Sequence, residues 1–294
     1  MTTTPPPLGL LLDVDGPIAS PASRTIAIRS IIDDLVFLTA AGVPVAFITG
    51  RSDAFIRDQV MTPLFAAGLS EALAVDGARM FAVFEKGAAW ATVAPDGLGE
   101  TQIDYSVAVP DELVSALHEL HAREFTEEMF WDDTKHAMIS VEQRVDVASD
   151  TYRPAQERFQ DAAFAAAADL GIGLRYRDRT LVDARGETPF RIDPTIISTD
   201  IESVLLDKDT GAKRALDHFE ASGPLPVLWR SVGDSRSDYK MADHVHDRGL
   251  EVAHVDVRPS DGLLDKPYRV IVEGDLIHDE AGAAFLAYWR DKLS

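Results

Sequence analysis

Three short runs in this chain that read as buried strands end abruptly at polar residues, and nothing else in the sequence narrows its fold as much. Leu8 to Leu12 stops at Asp13 and Asp15, and Val43 to Ile48 stops at Thr49 and Gly50. Val227 to Val232 stops at Gly233 and Asp234, with Asp238 close behind. Short continuous apolar runs bounded by turn residues read as strands buried on both faces, as in parallel sheets. Between them the spacing becomes helical. Residues 23–41 place Ile28, Ile31, Ile32, Leu35 and Leu38 on one face before Gly42, and residues 52–67 begin at Ser52, a good N-cap. Apolar runs at 73–75 and 80–84 continue the alternation. This order predicts an α/β fold with a parallel sheet and helices on both faces.

The middle of the chain has another rhythm. Residues 110–123 read as a helix, 135–143 alternate as a strand does, and 153–170 form a long Ala-rich helical stretch. Short strand-like pieces follow at 173–177, 180–183 and 189–193, and Gly97 to Gly99 reads as a hairpin turn. Beyond residue 200 the first rhythm returns, with a helix at 211–221, strands at 227–232 and 251–257, and a closing helix at 279–293. We therefore expect a Rossmann-like parallel-sheet core built from residues 1–107 and 204–294. An α+β cap domain is inserted between them at 108–203.

With 294 residues the chain can hold both parts, and its 46% hydrophobic and 26% charged composition is that of a globular protein. A formal net charge of −21 repels nucleic acid and anionic lipid, so neither is an expected partner. The absence of cysteine excludes disulfides and thiolate metal sites and makes the cytoplasm the expected location. The amino-terminal stretch MTTTPPP lacks the features of a signal peptide, and no apolar run is long enough for a transmembrane helix. No heptad pattern speaks to the oligomeric state.

Ligands of open α/β sheets bind beyond the carboxyl ends of the strands. Asp13, Asp15, Thr49, Asp234 and Asp238 should therefore meet in one crevice. Carboxylates crowded there repel one another unless a cation sits among them. Oxygen ligands that leave room for water and phosphate oxygens suit Mg²⁺, so Asp13, Asp15, Asp234 and Asp238 are the candidate metal residues. Asp13 and Asp15 leave a period-two strand on the same side. Asp13 can attack a phosphorus atom, and Asp15 can protonate the leaving oxygen and then activate water. Thr49 and Gly50 would receive the phosphoryl oxygens. A lysine must balance the anion: Lys208 stands before the helix at 211, and Lys213 is its competitor, with the pattern of a solvated helix residue. In the cap region Lys86, Lys135, His136, Arg175 and Arg177 are candidate substrate contacts, each weighed against an ordinary surface charge.

Taken together, these motifs resemble the haloacid dehalogenase-like hydrolase superfamily. They are Asp13-Val14-Asp15-Gly16, Thr49 in ITGR, Lys208 in DKDTGAKRAL, and Gly233 with Asp234 and Asp238, in that order. The central segment is similar to the C2-type cap, and FEKGAAW (84–90) resembles the Asn-Gly-Ala turn that commonly precedes it. GDSRSD is similar to the fourth motif of trehalose-phosphate and sucrose-phosphate phosphatases, and the whole also resembles Cof-type phosphatases. The resemblance implies a Mg²⁺-dependent phosphatase, a phosphoric monoester hydrolase, acting on a small phosphorylated metabolite such as a sugar phosphate. Asp13 would be nucleophile and metal ligand. Asp15 would be general acid/base with its backbone carbonyl on the metal. Thr49 and Lys208 would hold the phosphoryl group, Asp234 would be the second acidic ligand, and Asp238 would support the metal or orient Lys208. A cap of this kind closes over the crevice. Two positions depart from the pattern: Pro17 stands where most members have Thr, and Ser237 where many have Asn. A phosphomutase would share the core motifs, and Pro17 keeps a non-catalytic binding protein open as a third reading.

Overall fold

The computed structural model describes residues 4–294, so the first three residues of the MTTTPPP stretch lie outside the described residues. The chain divides into two compact units. One runs to Gln102 and resumes as Asp207–Ser294; the other is Ile103–Leu206.

In the first unit the described elements are β1 (Gly9–Leu12), α1 (Arg29–Ala40), β2 (Val45–Ile48), α2 (Asp53–Ile56), α3 (Thr62–Ala66), α4 (Leu69–Leu73), β3 (Met80–Phe84), β4 (Ala89–Ala94) and β5 (Gly97–Leu98). The short β6 (Gln102–Ile103) lies where the units meet in sequence. In the second unit follow α5 (Asp111–Glu124), β7 (Met129–Trp131), β8 (Ile139–Gln143), α6 (Ser149–Asp169), β9 (Leu174–Tyr176), β10 (Arg179–Leu181), β11 (Phe190–Pro194) and β12 (Ser198–Ser203). The chain then returns to the first unit through α7 (Lys208–Ser222), β13 (Leu228–Gly233), α8 (Tyr239–Asp247), β14 (Glu251–Asp256), β15 (Arg269–Ile271) and α9 (His278–Leu293). This is the α/β fold the sequence predicts, a Rossmann-like core with an inserted α+β unit.

The core sheet has the order β15-β14-β13-β1-β2-β3-β4-β5. It is parallel from β15 to β3, and β4 and β5 are added antiparallel. The two ends of the chain meet at its centre, where β1 lies between β13 and β2: Leu11 pairs with Ser231 on one side and Ala46 on the other. Every residue of β1 and β2 is buried, which explains their unbroken apolar runs. One face carries Leu11, Ala46, Ile48, Val83 and Trp229 against Ala215, Leu216 and Phe219 of α7 and Met241 and Val245 of α8. On the second unit's sheet, ordered β10-β9-β11-β12-β8-β7, Val141 and Ile201 share a core with Leu113 and Leu117 of α5 and Tyr152 and Phe159 of α6.

Several sequence expectations need correcting. Residues 23–28 are not helical, and Arg24 there has φ of 57° with its N–H bonded to the Ser20 carbonyl. The hydrophobic period of α1 is real, but Pro21 and the turn around it delay its start to Arg29. The 73–75 run is no strand: its first residue ends the short helix α4, where Leu69, Ala72 and Leu73 are buried as a helical face. The helix at 52–67 forms, and Ser52 caps it by accepting from Phe55 N, but residues 57–61 adopt a π turn. Pro63 has no amide to donate, and Thr62 Oγ1 donates to the Arg57 carbonyl at 3.0 Å within this wider turn. The hairpin turn lies at Pro95 and Asp96, since Gly97 already pairs with Ala94 in β5.

Candidate active site

β1, β2 and β13 are in parallel register, so their carboxyl ends deliver Asp13, Thr49 and Asp234 to one edge of the sheet. Asp13 remains hydrogen-bonded through its N–H to the Val232 carbonyl at 2.9 Å. Its side chain turns in, with Oδ1 accepting from Val14 N at 2.8 Å. Lys208, the first residue of α7, reaches the same oxygen with Nζ at 2.5 Å and also donates to the Ile48 carbonyl at 2.9 Å. Nζ lies 2.8 Å from Asp238 Oδ1 as well, so one buried ammonium is shared by two buried carboxylates. Lys213, the competitor, pairs with Asp217 on the exposed side of α7.

Asp238 is fully buried, and its other oxygen clamps the loop that carries Asp234. Oδ2 accepts from Asp234 N at 3.1 Å, Ser235 N at 2.9 Å and Ser235 Oγ at 2.7 Å. Two glycines allow these loops to close on one another. A Cβ at Gly233 would fall 2.2 Å from Asp238 Cβ, and one at Gly16, where φ is +99°, would fall 2.7 Å from Asp234 Cγ. Among the described residues, Asp13, Asp234 and Asp238 are a group whose ligand oxygens lie within 4.8 Å of one another. That donor set, three carboxylates with no competing thiol or imidazole in the group, fits a hard divalent cation.

Burial pushes the Asp13 carboxyl well above its usual range, and Asp238 adds to the rise while Lys208 opposes it. Burial, then Asp238, likewise pushes Asp234 up to about 6. For Asp238 burial raises the pKa, but Lys208 and the Ser235 hydrogen bond outweigh it and leave the group below its ordinary value. The Lys208 ammonium is held above its usual range: burial lowers it, and Asp13 and Asp238 overcome that. The cluster thus holds more negative charge than its one lysine neutralises, which is the condition a bound cation relieves.

Asp15 faces elsewhere. Its carboxylate accepts a two-pronged pair from Arg51, Nε at 3.0 Å and Nη2 at 3.1 Å. Arg51 N in turn donates to Thr49 Oγ1 at 3.0 Å, while Thr49 N is bonded to the Val83 carbonyl. Lys86, read as part of the cap, belongs to the core unit. Its N–H donates to the Thr49 carbonyl at 2.9 Å, and its Cε would lie 3.7 Å from a Cβ on Gly50. Glu85 and Lys86 both have left-handed backbones, with φ of 49° and 55°. Lys135, His136, Arg175 and Arg177 lie in the second unit. The Lys135 side chain is buried 3.8 Å from Asp132, whereas His136, Arg175 and Arg177 are exposed and Arg177 pairs with Glu157.

Sequence reasoning missed Arg51, although it directly follows Thr49-Gly50. It also missed Arg258 and His278, whose nitrogens lie 4.0 and 3.7 Å from Asp234 Oδ2, and buried His254, whose Nδ1 is 2.8 Å from Ser231 Oγ. No local pattern marks the last three, because their positions depend on how β14 and α9 pack.

No family model matches the chain, and no curated protein matches it. Solved structures do. The C-terminal domain of trehalose-6-phosphate phosphatase from C. albicans superposes with a TM-score of 0.64 at 12% identity, covering 98% of this chain and 93% of that one. A haloacid dehalogenase-like hydrolase from Bacteroides thetaiotaomicron gives a TM-score of 0.56 at 11% identity, covering 96% and 98%. The IMP-nucleotidase of Plasmodium falciparum gives 0.54 at 9% identity, covering 97% of this chain and 61% of that one. The class these likenesses define is an α/β fold of two units, a parallel-sheet core and an insert. More narrowly, the fold is that of the haloacid dehalogenase-like hydrolases.

Proposed function

We propose that this protein is a Mg²⁺-dependent phosphatase that hydrolyses a small phosphorylated metabolite through an aspartyl phosphate on Asp13. The observation that carries this reading is the shared ammonium of Lys208, 2.5 Å from Asp13 and 2.8 Å from Asp238, beside a three-carboxylate cluster at the carboxyl edge of a parallel sheet. Asp13, Asp234 and the backbone carbonyl of Asp15 would hold the Mg²⁺, with Asp238 supporting the loop. The ion supplies positive charge that lets an anionic nucleophile approach an anionic ester.

The chain's own residues do the rest. An Asp13 oxygen attacks phosphorus as the bond to the leaving oxygen breaks, and Asp15 gives that oxygen its proton. Asp15 then takes a proton from water, which attacks the phosphoryl group and frees both Asp13 and inorganic phosphate. The two-pronged contact with Arg51 fixes the orientation of the Asp15 carboxyl group. Thr49 Oγ1, Gly50 and the Lys208 ammonium receive the phosphoryl oxygens. Pro17 removes no carboxylate from this set. The insert, Ile103–Leu206, acts as the cap that selects substrate, and Lys135, His136 and Arg175 are its candidate contacts.

A sugar phosphate is the first substrate class to test, and a nucleoside monophosphate the second. The named solved structures that share the fold include a trehalose-6-phosphate phosphatase and an IMP-nucleotidase. The deciding experiment measures inorganic phosphate released from sugar phosphates, nucleotides and phosphorylated cofactors, with Mg²⁺ and with EDTA. We expect Mg²⁺-dependent release that Asp13→Asn abolishes. An isomerised sugar phosphate without free phosphate would make the protein a mutase. No turnover of any ester would leave only a binding role.

A further inference from the structure

In the carboxylate cluster, Asp234 Oδ2 faces side-chain nitrogens of two residues from the carboxyl-terminal part of the chain. His278 Nδ1 lies 3.7 Å from Asp234 Oδ2, and Arg258 Nη1 lies 4.0 Å from it. Both side chains carry a buried nitrogen with no hydrogen-bond partner: Nδ1 of His278 and Nε of Arg258. A buried polar nitrogen without a partner costs about 1–3 kcal/mol, so two of them in side chains that approach one carboxylate call for a reason.

The backbone holds both residues in place. His278 N donates to the Val257 carbonyl at 2.8 Å, and its φ of 51° is in the left-handed region, uncommon outside glycine. Arg258 N donates to Asp256 Oδ1 at 2.8 Å, and its guanidinium also bonds Asp261. One turn into α9, a Cβ on Gly282 would fall 1.9 Å from the Pro17 carbonyl oxygen. Only glycine lets the helix approach the loop that carries Asp13 and Asp15 so closely. α9 is thus seated against the nucleophile loop while its first residue faces Asp234.

We infer that His278, with Arg258, is a positioning residue for the cation: the two donors fix the outer oxygen of Asp234 so that its other oxygen is presented to the ion. The inference rests on the cation site of the proposed function. Donors that hold the far side of a ligating group lock its rotamer, and losing them costs about 10–100-fold in metal affinity.

The test is calorimetric titration of the 294-residue protein with MgCl₂ alone, without substrate. His278→Gly removes the ring and relieves the left-handed backbone, so the variant keeps its fold, checked by urea unfolding in EDTA. We expect its Mg²⁺ affinity to drop at least about tenfold. His278→Asn tolerates the same backbone and places an amide N–H where Nδ1 stands, and it should restore wild-type affinity. His278→Ala replaces the glycine variant should that fail to fold. Wild-type affinity in the variant lacking the ring overturns the inference alone, as does equal weakening in the glycine and asparagine variants. A wild-type protein that binds no Mg²⁺ overturns the cation site, and this inference with it.

Discussion

Lys208 gives its ammonium to Asp13, Asp238 and the Ile48 carbonyl, and all three side chains are buried. Removing one partner of such a buried set leaves charges that neither water nor protein compensates, a loss of about 3–5 kcal/mol. Lys208→Ala should lose that much stability in urea unfolding without metal. Asp13→Asn added to it should recover part of the loss, since the second change removes one stranded carboxylate. Strict additivity of the two changes would show that the groups do not share one charge balance. His254 makes a second residue-scale case. Burial holds its pKa down at about 4, against 6.5 for an ordinary histidine, so the folded ring is neutral where the unfolded ring takes a proton. Its contribution is complete above pH 6.5 and is lost as pH falls towards 4, by on the order of 3 kcal/mol. NMR titration of the ring and urea unfolding across this range, compared with His254→Asn, should show that slope in the wild type alone. Position before a helix was enough to prefer Lys208 to Lys213. Nothing in the local sequence could reveal His254 or His278, because each acquires its meaning from a neighbour distant in the chain.

α7 is both a packing element and the carrier of Lys208. A Cβ on Gly211, one turn in, would fall 2.4 Å from Ile48 Cγ2 of β2, so the helix rests on the sheet at a glycine. Gly211→Ala forces helix and strand apart, at a cost of about 1–3 kcal/mol. We expect the loss in chemical denaturation, together with a fall in the proposed phosphatase activity, because Lys208 moves with the helix. Unchanged stability would mean that the contact relaxes freely. At this scale sequence reading worked where burial is two-sided and apolar, as in β1 and β2. It missed β12, Ser198–Ser203, whose six residues are all buried although its sequence STDIES is mostly polar. There Ser140 Oγ donates to Asp200 Oδ1 at 2.7 Å, and Gln160 Nε2 donates to Thr199 Oγ1 at 2.9 Å. Hydrogen bonds between elements permit the burial, and no periodicity announces them.

On the scale of the whole molecule, a chain of net charge −21 concentrates four acidic side chains where its two ends meet around β1. The meeting of the ends was legible, because three motifs far apart in sequence sat at strand termini. Their electrostatic cost was legible only in part, since Arg51 neutralises Asp15 and leaves Asp13, Asp234 and Asp238 as the cluster. Among the described residues no helix is long and apolar enough to cross a membrane. A cation that binds only the folded protein stabilises it by mass action, by about 2.7 kcal/mol at a hundred times its Kd. Protons compete for the same oxygens. With Asp234 pushed up to about 6, the metal-free fold binds a proton more readily than the unfolded chain, so Asp234 adds stability as pH falls from about 6 to 3.8. Asp13, shifted the same way, acts in the same sense. Mg²⁺ must displace those protons, and its benefit should shrink as they bind. Thermal unfolding with Mg²⁺ and with EDTA should therefore show a larger rise in Tm at pH 7.5 than at pH 5.5. Comparison at each pH cancels the opposite slope from His254, which is present with and without metal. An equal rise at both values would place the ion away from Asp13 and Asp234, and the proposed catalytic centre would lose its physical basis.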